Sequence, residues 1–351
     1  MVAIILYLHR EENMSNFEGF IGSSMRAYKL SAIIIASVRT GIFDAIEASS
    51  GNPEGIAAHT GIRVDRLNVI LDVLNAAKLV RWRSKKVSLA SSAKRYLCRS
   101  SEDYCGDIAL YHYYCAPAWF SLSDVLLGKK NALRIDMLFA SKDFLRVYMN
   151  ALRRITDDIV SCILNVLPTP QNHGLLVDMG CGPASFPVAF IKQNQSWRAK
   201  IFDILPVRDD IRQTLLQQGV SASQIRFRQA DVLANPNLLP HDADLVYLGH
   251  ILHEYPDYQA RKLVELGYKT LRKGGTLCVL DFDHQRGGTT GLPEAMFHAS
   301  VLLFCGRAVR ARGSQELCKL FTGIGFGRVR VEKLPHRVSY PMIVLLAKKE
   351  E

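Results

Sequence analysis

Among the eight cysteines there is no Cys-x-x-Cys pair and no grouping with histidine at metal-ligand spacing. That argues against a structural zinc and for free thiols in a reducing compartment. Long apolar runs are also missing. The longest near the start, Val2–Leu8, is seven residues, against the ~20 that a membrane span needs. It has no basic stretch before it and no small-residue cleavage site behind it, so a secretory signal is not expected. A cytoplasmic chain without a membrane partner is the expectation, and Met14 is an alternative start that would make residues 1–13 an extension of the gene model. No repeat or low-complexity tract interrupts the chain. Nor is charge segregated: the net +11 divides into +5 over residues 1–160 and +6 over 161–351, which weakens a nucleic-acid reading.

What is present is a globular composition, 48% hydrophobic and 22% charged, over 351 residues, too long for one ordinary domain and suited to two. The texture changes near residue 170, after the Pro168–Pro170 linker. The expected division is 1–168, mostly helical, and 169–351, where short β-branched runs alternate with helical stretches.

In the first part, Leu30, Ile33, Ile34, Val38, Ile42 and Ile46 recur at helical steps and predict a helix over 26–48. Pro53–Thr60, closed by Gly61, predicts a short helix with proline in its first turn, and Leu67, Ile70, Leu71 and Leu74 mark a second. Val80–Leu89 then alternates as a hairpin around Arg83–Lys86. Helix, helix and two-stranded wing is the order of a winged helix-turn-helix. Lys78–Arg99 holds eight Lys/Arg and no acid, which is either a phosphate footprint or a solvated face on a fold kept for dimerisation. Residues 104–127, dense in tyrosine, and 142–166, which carries Met149, predict further helices.

The second part places candidate strands at Leu175–Met179, Lys200–Ile204, Arg226–Ala230, Leu245–Leu248, Leu277–Phe282, Arg328–Lys333 and Met342–Ala347. Crossover-length gaps separate the first five, which predicts an α/β doubly wound parallel sheet. The last two have no room between them for a helix and should pair antiparallel.

The first of these strands runs into Asp178-Met179-Gly180-Cys181-Gly182. Glycines at a strand-to-helix turn let a ligand approach the backbone. Asp203 ends the second strand, placed for two ribose hydroxyls, and Asp231, followed by Val232, ends the third, placed to face an adenine edge. Ser185 stands where Gly-x-Gly-x-x-Gly needs its last glycine, which disfavours a dinucleotide and favours an adenosyl ligand without diphosphate. Beyond the fourth strand lie Gly249, His250, His253 and Glu254. An imidazole there can accept a proton near neutral pH.

With these motifs in place the chain resembles the small-molecule O-methyltransferases of the caffeic acid and acetylserotonin type, which use S-adenosylmethionine. The resemblance covers almost the whole chain. It implies a winged-helix dimerisation domain, a connecting helix, and a Rossmann-like domain whose seven-stranded, mostly parallel sheet ends in an antiparallel hairpin. Asp178–Gly182, Asp203 and Asp231 with Val232 match the family's cofactor motifs, and Ile251–Asp257 matches its base segment, with His253 as general base. Lys273-Gly274-Gly275 matches its turn before the fifth strand. Three positions depart from the pattern: Ala184 replaces a third glycine, Gly249 stands where a lysine or serine is common, and Val309 replaces the second of two acids flanking the base. Asp281 matches the first, so His253 would rely on Asp281, on Glu254 or on substrate.

The resemblance implies a homodimer that methylates a hydroxyl of a small aromatic or polyketide-like acceptor, in a pocket lined by Met149, Met296, Phe297 and Val301. Loss of the second acid leaves carbon or nitrogen as alternative targets. A DNA-binding regulator that uses its second half as a sensor is the reading from another class, and the family's use of the winged helix for dimerisation speaks against it.

Overall fold

The computed structural model describes residues 17–131, 135–284, 292–305, 311–335 and 341–350; Met14 and Val309 lie outside them. The chain forms two compact units, Met1–Ala116 and Pro117–Glu351. The long helix over 142–166 thus counts with the second unit. The 168/169 boundary marks the point where helix gives way to sheet.

In the first unit the apolar run expected as one helix is two, α1 (Phe17–Thr40) and α2 (Ile42–Ala48). Gly41 separates them at φ 75, a left-handed conformation that glycine adopts without a Cβ clash. Then come α3 (Pro53–Thr60), capped by left-handed Gly61, and α4 (Val64–Ala76). The hairpin β1 (Val80–Arg83) and β2 (Lys86–Leu89) pairs Val80 with Leu89 and Arg83 with Lys86, and α5 (Ser91–Leu97) follows. Phe43, Ile56, Leu67, Leu71, Leu74 and Val80 are fully buried together, so the alternating and helical spacings meet in one core. The basic stretch is partly neutralised: Lys94 pairs with Glu47 at 2.7 Å, Arg95 with Asp103 at 2.5 Å and Arg99 with Asp44 at 3.6 Å. Acids brought in from outside Lys78–Arg99 thus reduce the charge left for phosphates.

Next are α6 (Gly106–Phe120), in which the unit boundary falls, α7 (Leu122–Leu126) and α8 (Lys142–Val166). The second unit is built on a seven-stranded sheet of β3 (Leu175–Met179), β4 (Arg198–Asp203), β5 (Ile225–Gln229), β6 (Ala243–Gly249), β7 (Leu271–Phe282), β8 (Arg330–Lys333) and β9 (Met342–Lys348), ordered β5-β4-β3-β6-β7-β9-β8. The first five strands pair in parallel, while β9 runs antiparallel to both β7 and β8. β7 begins six residues earlier than the spacing predicts. Lys273–Gly275 lies inside it, with Gly274 left-handed and a register shift between Ala243 and Leu245 absorbing the irregularity.

Alternate residues of the strands serve opposite faces, as the pleat requires. Leu176, Ile201, Leu245, Cys278 and Val344 join the core under α8, α9 (Ser185–Gln193) and α10 (Arg208–Gln218). Val177, Phe202, Val246, Val279 and Ile343 join the other, under α11 (Asp257–Thr270) and α13 (Ser314–Lys319). Between these two helices in the chain is α12 (Leu292–Cys305). Among the described residues no helix is long and apolar enough to cross a membrane.

Candidate active site

The chain winds outward from β3 to β4 and β5, then crosses back to β6 on the other side of β3. The carboxyl ends of β3 and β6 therefore flank the point where the winding reverses, the place where open α/β sheets leave a ligand crevice. Both groups of sequence-marked residues sit there. Gly180 (φ 89) and Gly182 (φ 48) turn the chain out of β3 with left-handed backbone. A Cβ on Gly182 would meet nothing within 4 Å, so one side of the loop faces open space. A Cβ on Gly180 would strike the side chain of Ile251. That close approach brings the glycine loop against the base segment, two residues from His253.

The acids of the crevice differ in what they already hold. Asp203 accepts a 2.7 Å hydrogen bond from the Gly182 N–H through Oδ2 and a 2.9 Å bond from the Leu205 N–H through Oδ1. Burial raises its pKa, and these backbone donors oppose the rise. A carboxylate has about four lone-pair sites, so capacity remains for hydroxyl donors. Asp178 is fully buried, and its Oδ1 has no partner among the described residues. Burial, with the Asp203 charge second, holds its carboxyl well above the usual range. Asp231 is exposed; its Oδ1 caps the following turn through the Leu233 and Ala234 N–H groups, and Val232 is buried beside it. An open-sided glycine loop, an orphaned buried carboxyl oxygen and an acid with spare lone pairs fit a polar ligand carrying both hydroxyl and cationic groups.

Across the crevice the backbone leaves β6 through Gly249 and a left-handed His250 (φ 55), then makes a single 3-10 turn, Leu252–Glu254. Tyr247 fills the space beside Gly249, stacked on Phe186 at 3.9 Å between ring centroids. A lysine or serine at 249 would collide with that ring, which accounts for the glycine.

His253, in the 3-10 turn, meets Asp281 from the end of β7. Its Nδ1 lies 2.9 Å from Asp281 Oδ1, and its backbone N–H donates to Oδ2 at 3.2 Å. The Phe282 N–H also donates to Oδ1. Asp281, 2% exposed, thus fixes both the ring and the backbone of the histidine. Bonding at Nδ1 leaves Nε2 for a substrate. Burial is the largest influence on the His253 pKa and pulls it down, but the Asp281 charge, the hydrogen bond to it and the Glu254 charge together raise it above the ordinary imidazole value. For Asp281, burial pushes up and the His253 charge and hydrogen bond prevail, so its carboxyl lies below the usual range. Glu254 is pushed up to about 7, by the density of protein around it first and by the Asp203 and Asp281 charges, against the pull of His253. Its side chain is nevertheless exposed, and water there moderates the burial contribution.

Phe282 and Phe297 wall the imidazole edge-on, with centroids 5.2 and 5.5 Å from it. Phe297, on α12, is the pocket residue brought to the base. Met296 next to it is exposed, Val301 is buried, and Met149, on α8, is wholly buried in the core.

Arg312 escapes a reading of the sequence. It is 2% exposed and holds the base segment from behind, donating to the Leu252 carbonyl at 2.7 Å, the Tyr255 carbonyl at 2.7 Å, and Asp257 through Nε and Nη2. Nothing in its local pattern, Ala311-Arg312-Gly313, signals this, because its partners are more than fifty residues away. Arg312→Ala is expected to destabilise the chain by ~2–4 kcal/mol, since buried carbonyls lose a charged donor. Arg312→Lys should recover only part, lacking the planar fork. Thermal unfolding checks this, and an unchanged midpoint in the alanine variant would refute it.

Residues 134–327, more than half the chain, match the family model of the O-methyltransferase domain. The chain belongs to this family. The methyltransferase is 24% identical to the bovine acetylserotonin O-methyltransferase over 87% of its own length and 91% of that protein. It is 25% identical to the tetracenomycin polyketide synthesis 8-O-methyl transferase TcmO of Streptomyces glaucescens, over 73% and 76% of the two chains. The structure of human N-acetylserotonin methyltransferase in complex with SAM shares its fold, with a TM-score of 0.80 at 19% identity over 97% of this chain and 99% of that one.

Proposed function

We propose that this methyltransferase binds S-adenosylmethionine against the Gly180–Gly182 loop and Asp203, and methylates a hydroxyl of a small aromatic or polyketide-like acceptor with His253 as general base. The observation that carries the proposal is the packing of Ile251 on Gly180, which sets a ligand loop and an Asp281-anchored imidazole at one crevice. Asp203 would accept from the ribose hydroxyls, Asp178 and the glycine loop would take the amino-acid end, and Asp231 with Val232 would border the base. When bound, the cofactor supplies a methyl group on a cationic sulfur, already electrophilic.

The chain's own task is to orient the acceptor and take its proton. Holding the two reactants in line is worth ~7–11 kcal/mol. A phenol, pKa about 10, is a weak nucleophile until its proton leaves. His253 removes that proton at Nε2, and Asp281 stabilises the imidazolium so formed. Glu254 sits close enough to share that charge. The rings of Phe282 and Phe297 favour a flat acceptor. The relatives' named substrates, a polyketide and acetylserotonin, point the same way.

Homodimerisation is part of the proposal. Phe20, Ile21, Met25 and Tyr28 of α1 are all 44–58% exposed, an apolar face suited to a second copy. Sedimentation should give twice the chain mass.

Acceptor profiling with labelled cofactor tests the reaction. Phenolic acceptors should yield methyl ethers, whereas products methylated only on carbon or nitrogen would reassign the nucleophile. A gel shift at low salt is expected to show no binding to DNA. The rate should rise with pH and level off above an inflection higher than the usual imidazole value, because the base works unprotonated. The ion pair's contribution to stability has the opposite slope at that end. The raised His253 pKa makes it full below the ordinary imidazole range and lost as pH climbs through the folded-state value. On the acid side it is lost as pH falls through the lowered Asp281 value. A rate that falls across the same range would contradict the assignment.

A further inference from the structure

Three residues before the base is an imidazole that methyl transfer does not use. His250 takes left-handed backbone, where a side chain is strained, at the exit of β6. Its Nδ1 and Nε2 are both buried, and neither has a hydrogen-bond partner among the described residues. A neutral imidazole carries one donor and one acceptor, and folded chains rarely leave both unmet. Strain and an orphaned polar ring at one residue, beside a catalytic pair, point to a partner that belongs there.

We propose that His250, His253 and Asp281 form a site for a borderline divalent ion of the Zn2+ type. One ligand atom from each residue lies within 4.8 Å of the others. His253 Nδ1 and Asp281 Oδ1 are already 2.9 Å apart. Tetrahedral zinc, with bonds of about 2.0–2.2 Å, needs ligand atoms ~3.3 Å apart. Turning the His250 ring and opening the His253–Asp281 contact slightly would meet that spacing. Two imidazoles and one carboxylate suit zinc, cobalt or nickel better than calcium or magnesium, which prefer oxygen alone. Three protein ligands leave a fourth position for water. The burial of both His250 nitrogens argues against an acceptor as the partner, because a molecule of that size cannot reach them, whereas a bare ion sits between side chains.

The consequence rests on the functional reading above. An ion that takes a ring nitrogen of His253 and the Asp281 oxygen removes the orientation and the free base on which proton removal depends. Metal binding and methyl transfer exclude each other, and a chelator restores activity. Binding itself does not depend on that reading.

The test uses the full chain, stripped with chelator and free of cofactor, titrated with Zn2+ by calorimetry and with Co2+ by visible absorption. One ion per chain is expected, with the cobalt spectrum of a nitrogen–oxygen site. His250→Asn, which tolerates left-handed backbone, should weaken binding by at least about tenfold, as loss of a ligand must when even a supporting group is worth 10–100-fold. Its unfolding midpoint and its affinity for S-adenosylmethionine should match those of the unaltered chain. Should that variant fail to fold, Asp281→Asn carries the same expectation for metal. Absence of stoichiometric binding, equal affinity in the variant, or a cobalt–thiolate charge-transfer band placing the ion on a cysteine would each overturn the proposal. Failure to bind metal leaves the methyltransferase reading intact, and failure to bind the cofactor leaves the metal site intact.

Discussion

Replacing His253 by alanine is expected to slow methyl transfer by ~10²–10⁴-fold, the range a positioned general base supplies, while affinity for S-adenosylmethionine stays within about twofold. The two expectations separate because the imidazole acts on the acceptor. The residues proposed to hold the cofactor lie elsewhere: Asp178 on β3, Gly180 and Gly182 in the loop that leaves it, and Asp203 at the end of β4. Asp281→Asn should fall between the two extremes. The amide can keep a hydrogen bond to the ring but cannot stabilise its positive charge, so turnover drops and the inflection in the pH–rate curve moves down toward the ordinary imidazole value. Steady-state kinetics on the best acceptor from the profile, with calorimetry on the same preparations, read both quantities. Wild-type turnover in the alanine variant would remove His253 from the mechanism.

The other large effect is expected at Asp203. Its carboxylate orders the glycine loop through the Gly182 N–H and its own turn through the Leu205 N–H. It is also the group proposed to accept from both ribose hydroxyls. Hydrogen bonds to a charged acceptor are worth ~1.5–3 kcal/mol each. Asp203→Ala should therefore weaken cofactor binding by ~3 kcal/mol or more, over a hundredfold. Asp203→Asn, which retains one acceptor, should lose less. Calorimetric titration decides it, with the unfolding midpoint as control. Undiminished affinity in a folded alanine variant would place the ribose elsewhere.

Much of this arrangement is legible in the sequence, for local reasons. Asp178, Asp203 and Asp231 each stand at or just past the end of a candidate strand, and His253 lies a few residues beyond the fourth. In a doubly wound sheet those ends converge, so the pattern of one strand at a time suffices to bring them to one crevice. The antiparallel pair at the end follows in the same way, from a gap too short for a helix. Asp281 as the partner of His253 comes from the family resemblance, since β7 reads equally well with that residue as a capping acid.

The rest depends on contacts that no local pattern encodes. Gly41 divides an apolar stripe whose periodicity continues through it, so the break between α1 and α2 is invisible to spacing. β7 extends back to Leu271 because Gly274 can turn left-handed and keep the chain paired to β6. Met149 carries the same spacing signal whether it lines a pocket or fills a core, and on α8 it is fully buried against the sheet's core. Arg312 braces the base segment across fifty-five residues of chain, and the strain at His250 arises only because β6 must turn sharply into the 3-10 segment. The eight basic residues of Lys78–Arg99 suggest a phosphate surface until Glu47, Asp103 and Asp44 are seen to meet three of them.

The most direct test of the central claim is a crystal structure of the chain with S-adenosylhomocysteine. The ribose should bond to Asp203, the amino-acid end should lie along Gly180–Gly182, and the sulfur should face the imidazole of His253 across room for one acceptor ring. A ligand seated away from the crevice between β3 and β6, or one whose sulfur is turned from that imidazole, would contradict the account.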